Sequence, residues 1–158
     1  MTVPYACRFV ADQRSVSLVE IVSSGSERTV RVVAGAGPAW EIVLPAWYLP
    51  SVAILGDTTA VWAATRLFFL ASGKQAVRAD FDDEIHAVFA VDGRFCVVGE
   101  LSVSIYDAGR GAIVDRFQSG DVLGASWWEG GKLFVESAAG RPHIFSPSAD
   151  AVGLTVAP

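Results

Sequence analysis

The chain is predicted to be all-β, built from four consecutive four-stranded antiparallel β-meanders of about 36 residues each. Three observations predict it: a five-residue strand signature that recurs along the sequence, a turn signal ahead of every copy, and short apolar runs that never sustain a helical period. Each signature follows an alanine. The copies are Trp40-Glu41-Ile42-Val43-Leu44, Val77-Arg78-Ala79-Asp80-Phe81, Ile113-Val114-Asp115-Arg116-Phe117 and Val152-Gly153-Leu154-Thr155-Val156, and the preceding alanines are 37, 36 and 39 residues apart.

Positions one, three and five of each signature are mostly apolar and positions two and four carry most of the charge, the period of a strand with one buried face. Asp115 alone interrupts the buried set, and it is expected to turn toward solvent at the rim of its sheet. The turns ahead of the signatures are Gly35-Ala36-Gly37-Pro38, Ser72-Gly73-Lys74, Ala108-Gly109-Arg110-Gly111 and Ser146-Pro147-Ser148. Such residues supply the positive or preset φ that a tight hairpin demands. Ahead of each turn a further strand is expected, over residues 29–34, 66–71, 101–107 and 142–146. Upstream of these an acidic residue closes a strand in each unit, at Asp12, Asp57, Asp92 and Glu129, and these are read as turn makers. The count is sixteen strands in one domain over residues 1–158, with units at about 5–46, 51–84, 85–121 and 122–158.

A chain of 158 residues, 52% of them apolar, is long enough to bury a core without disulfides or metal. Charged residues and turn formers cut every apolar run short of a membrane-spanning helix, and no basic-then-apolar leader opens the sequence, so a cytoplasmic protein is expected. Cys7 and Cys96 lie in apolar strand-like runs and are read as buried free thiols. A net charge of −5 with scattered Lys and Arg argues against nucleic acid and anionic membrane as partners.

The run from Ser102 to Phe117, with Tyr106-Asp107 closing one strand and Gly109 and Gly111 turning into the next, resembles the third and fourth strands of a blade in the WD-repeat and related β-propeller families. The other units carry Val33-Ala34, Leu70-Ala71 and Phe145-Ser146 where that aromatic-Asp pair stands. The resemblance implies a small four-bladed propeller or a half-propeller that binds at one face. That face is formed by the loops joining one blade to the next, here 45–51, 82–86 and 119–122, and by the loops between second and third strands, here 23–28, 65, 99–100 and 138–141.

Two of these loops supply candidate binding residues. Trp47 and Tyr48, flanked by Pro45 and Pro50, either anchor a partner or cap the core, because rigid amphipathic aromatics serve both ends. Asp82, Asp83, Glu84 and His86 form either an exposed acidic turn or a set of ligands for a divalent cation; their spacing matches no EF-hand and no zinc signature. Trp40 and Trp62 fit core positions, and alternation sends one of Trp127 and Trp128 inward and the other outward. With two histidines, no nucleophile elbow and no phosphate loop, no catalytic residues, cofactor or metal are assigned.

The expected function is therefore a non-catalytic protein-binding or assembly module, with a small-ligand or carbohydrate-binding, lectin-like domain as the alternative. Each unit carries its own first and fourth strand, so no latch between the two ends of the chain is expected. A single-chain ring is anticipated, with Ala6, Ala53, Ala87 and Ala125 on the first strands near its axis; the competing outcome is an open half-ring that forms a homodimer.

Overall fold

The computed structural model describes residues 6–11, 14–34, 37 and 39–156. The side chains of Ala6 and Cys7, Asp12, and the turn residues Gly35, Ala36 and Pro38 lie outside this description. Among the described residues, sixteen strands form four antiparallel sheets, each a meander of strands adjacent in sequence. Sheet 1 is β1 (Ala6–Ala11), β2 (Arg14–Ser24), β3 (Glu27–Ala34) and β4 (Trp40–Pro45). Sheet 2 is β5 (Ser51–Leu55), β6 (Thr58–Ala63), β7 (Arg66–Ala71) and β8 (Val77–Asp80). Sheet 3 is β9 (Ile85–Val91), β10 (Arg94–Gly99), β11 (Ser102–Asp107) and β12 (Ala112–Gln118). Sheet 4 is β13 (Leu123–Glu129), β14 (Lys132–Ser137), β15 (His143–Phe145) and β16 (Leu154–Val156). β1 pairs with β2 and β16 with β15, so each sheet is completed by its own strands. No described helix is long and apolar enough to cross a membrane.

The chain divides into two compact units, 1–80 and 81–158. In the first, Val16, Leu18, Val30, Val32, Ile42 and Leu44 of sheet 1 pack against Ile54, Val61, Ala63, Phe68 and Leu70 of sheet 2. In the second, Cys96, Val98, Val103 and Ile105 of sheet 3 pack against Leu123, Leu133, Val135 and Phe145 of sheet 4. These are the i, i+2 positions of their strands, the set that pleating puts on one face. Burial of Cys96 inside the second core pushes its thiol pKa up to about 12, so it is an inert apolar filler.

Two-residue hairpin turns set the registers. At β9–β10 the central residues Asp92 and Gly93 have φ of 47° and 79°, and at β13–β14 Gly130 and Gly131 have 59° and 76°, the paired positive φ of a type I′ turn. Asp57 and Asp92 thus sit in turns as expected, whereas Glu129 is the last residue of β13 and pairs with Lys132. The turn ahead of β12 is built on Asp107, whose Oδ1 accepts the Gly109 amide at 2.9 Å while Arg94 Nη1 lies 2.7 Å from its Oδ2. The hydrogen bond from Arg94, reinforced by backbone amides, holds the Asp107 carboxyl below the ordinary range.

Four expectations are corrected. The fourth signature begins its strand at Leu154, because Gly153 turns the chain at φ 69°, where a Cβ would strike the Ser146 carbonyl, and its own carbonyl accepts the Ser146 amide at 2.7 Å; Val152 is buried while Leu154 and Val156 are exposed. In the third, a register shift opposite Ile105 and Tyr106 breaks the alternation and leaves Ile113 and Val114 at the surface. Asp115 does not turn away into solvent. It is half-buried and accepts the Val152 amide at 2.8 Å, which ties sheet 3 to the segment leading into β16. Trp127 and Trp128 do point to opposite faces, yet both keep about 38–39% exposure, Trp128 edge-on to Phe89 and Trp127 stacked on Phe134.

Ala64 opens the β6–β7 turn at φ 54°, a conformation that an L side chain resists by about 1–2 kcal/mol and glycine does not. Ala64→Gly should therefore raise stability by about 0.5–1 kcal/mol once glycine's extra unfolded-state freedom is subtracted, seen as a higher denaturant midpoint. His143 packs against the rings of Phe117 (5.0 Å) and Phe145 (6.1 Å), and burial lowers its pKa despite Asp121. Below the unfolded value of about 6.5, the unfolded chain takes up a proton that the folded one refuses, so stability declines as pH falls through that window and levels off below the folded pKa. Urea titrations between about pH 7.5 and pH 5 should show this slope reduced in His143→Leu.

Candidate functional site

In both units the loops that join successive sheets are bound to the turns between second and third strands. In unit 1 the Ala46 amide donates to the Ser26 carbonyl at 2.8 Å. In unit 2 the Glu100 amide donates to Glu84 O at 2.9 Å, the Leu123 amide to Glu100 O at 2.7 Å, the Ser119 amide to Leu101 O at 2.8 Å and the Ala138 amide to Val122 O at 3.0 Å. One end of each sheet pair is thus a connected loop surface, since backbone groups leaving a ladder must find partners elsewhere.

Among the described residues, the loop from sheet 1 to sheet 2 presents the two most exposed large apolar side chains, Trp47 at 83% and Leu49 at 73%, with Tyr48 between them at 42%. This exposure disfavours the capping role for Trp47 and Tyr48. The loop is held by its backbone from below. Arg28, buried on β3, donates through Nη2 to the Tyr48 carbonyl and lies 3.9 Å from Glu20. Arg66 on β7 donates to Glu27 Oε2 at 2.8 Å and to Val43 O at 3.0 Å, stitching β3, β4 and β7 beneath the same loop. Ser24, Glu27, Arg28, Thr29 and Val43 line a shallow cleft of about 230 Å³ beside it. Arg28 was legible only as part of a loop range, because a buried cation whose task is to hold a carbonyl has no motif.

The acidic loop is differently employed. Asp82 pairs with Arg116 at 2.6 Å, and Arg116 also donates to Ser104 Oγ at 2.9 Å and stands 5.1 Å over the Phe81 ring, which in turn packs on Tyr106. Asp83 accepts the Leu101 amide and the Ser102 hydroxyl (3.2 Å). Two of the four acidic-loop candidates therefore serve the fold, while Glu84 and His86 remain exposed. Among the described residues no three His, Cys, Asp or Glu side chains are grouped to hold a metal ion.

Four consecutive four-stranded meanders, with loops gathered within each unit in this way, have a β-propeller-like repeat fold. Two solved propeller structures carry the likeness. HIRA, residues 644–1017, superposes with a TM-score of 0.60 at 15% identity over 96% of this chain and 55% of that one. Hsv2 of Kluyveromyces lactis, the form with complete loop 6CD, gives 0.54 at 11% identity over 92% and 48%. The chain spans about half the length of these structures, and at such identity the likeness is one of fold. No family model matches the chain, and no curated protein matches it.

Gly99 is where the acidic loop closes on sheet 3: a Cβ there would stand 2.4 Å from the Phe81 ring and 2.7 Å from the Asp83 carboxylate. Gly99→Ala should lower stability by about 1–3 kcal/mol through this overpacking, and thermal melts of the two proteins would measure it.

Proposed function

We propose that this protein is a non-catalytic binding or assembly module whose partner is another protein, engaged by the loop that carries Trp47, Tyr48 and Leu49. The observation that carries the reading is the exposure of three large side chains on a backbone fixed from beneath by Arg28. Fixing the loop beforehand reduces the ordering entropy of association, and Trp and Tyr contribute large contact area with few rotatable bonds. The acidic-loop carboxylates Asp82 and Asp83, already engaged by Arg116 and Leu101, are poorly placed to act as a general acid, base or cation cage. A buried thiol at Cys96 suits a reducing compartment and supports a cytoplasmic protein.

The ligand-binding alternative rests on the cleft beside the loop, whose volume lies below the range usual for small-molecule sites. A protein partner therefore fits the site better. Trp47→Ala and Tyr48→Ala, which remove exposed side chains, should leave the melting temperature unchanged and weaken partner capture at least tenfold, about 1.4 kcal/mol each. Capture insensitive to both would remove this surface from consideration. A melting temperature raised by a sugar or metabolite library member would favour the alternative.

A further inference from the structure

Sheets 1 and 3 follow one packing rule. Counting two residues in from the pair that closes the first hairpin, sheet 1 places Val16 and Ala34 in one row, and sheet 3 places Phe89, Cys96 and Ile105 there. In both sheets this row faces the next sheet in sequence: Val16 and Ala34 belong to the core shared with sheet 2, and the other three to the core shared with sheet 4. The same count in sheet 2 gives Ala53, Ala60, Phe69 and Val77, of which Ala60 is 0% and Phe69 2% exposed. In sheet 4 it gives Trp127, Phe134, Ile144 and Val156, paired across all four strands.

That fourth row is as apolar as the others but stays open, with Trp127 38% and Val156 50% exposed and Trp127 lying flat on Phe134 at 5.5 Å. Charged Glu129, Lys132 and Glu136 flank it on the same two strands. Sheet 1 has the reciprocal feature. On the side away from its core it carries Val19, Arg31 and Glu41 in one cross-strand row and Thr29 and Val43 in another, with Val43 39% exposed and the Arg31–Glu41 pair 51% and 57% exposed. In sheets 2 and 4 the side that receives the preceding sheet is buried at Val61, Leu70, Leu133 and Val135.

We propose that the open face of sheet 4, centred on Trp127, Phe134, Ile144 and Val156, docks on the Val43–Arg31–Glu41 face of sheet 1 in a second copy of this chain. The contact continues the sheet-to-next-sheet packing already made once within each unit; the apolar row of sheet 4, edged by Glu129, Lys132 and Glu136, meets a face on which Val19 and Val43 stand beside the Arg31–Glu41 pair. A contact between two different faces obeys a directional rule, so each copy uses one face as donor and the other as acceptor.

Analytical ultracentrifugation across the micromolar range tests it. The chain should sediment as a dimer of twice 16.7 kDa or a higher multiple, and either Trp127→Glu or Val43→Glu should return it to the 16.7 kDa species with its circular dichroism unchanged. Mixing the two variants should restore a heterodimer, because each retains the face that the other has lost. Val156→Glu gives a second probe of the sheet 4 face should Trp127→Glu fail to fold. A wild-type chain that stays at 16.7 kDa throughout overturns the proposal. So does association that survives Val43→Glu, which would point to sheet 4 pairing with itself.

Discussion

A four-stranded sheet whose middle strands are apolar on both faces has to be covered on both sides, and this constraint governs the molecule. β6, β7, β10 and β11 are buried at nearly every position, including both pleat faces, whereas β12 and β16 are mostly exposed. Sequence follows burial: Val97-Val98 and Phe68-Phe69 run without polar interruption where alternation would be enough for a sheet covered on one side. Within each unit, stacking one meander on the other covers a face of each sheet that a single meander could not bury alone.

Stacking leaves the loops at the ends of the sheets, where backbone groups that leave the ladders must find other hydrogen-bond partners. Polar and ionic contacts therefore concentrate there. Arg28 and Arg66 in unit 1 and Arg116 in unit 2 each bind a carbonyl, hydroxyl or carboxylate that the ladders cannot reach. The consequence is a functional asymmetry between an aromatic loop and an acidic one. In the loop after sheet 1 the backbone is held and the side chains of Trp47 and Leu49 face water; in the loop after sheet 2 the side chains of Asp82 and Asp83 are themselves the fasteners.

The strand plan was legible because period-2 alternation and Gly-containing turns are local signals; β4, β7, β8 and β12 stand within a residue or two of their expected bounds. What escaped is non-local. The role of Asp115 depends on an amide 37 residues away, the displaced start of β16 on the close approach of Gly153 to Ser146, and the task of Asp83 on a backbone amide 18 residues on. The candidate site was legible as a pair of aromatics between prolines, yet Leu49 and Arg28 were not, since exposure and support are properties of the assembled sheets.

The hydrogen bond from the Val152 amide to Asp115 links the last stretch of chain to the preceding sheet through one carboxylate. β16 has only three residues and two pairings with β15, too few to hold an edge strand by itself. The segment leading into the terminal strand is thus fastened to sheet 3 as well as to β15, through the Asp115 carboxylate. Exchange of the Val152 proton with solvent deuterium requires that contact to open, whatever the state of the two β15–β16 pairings.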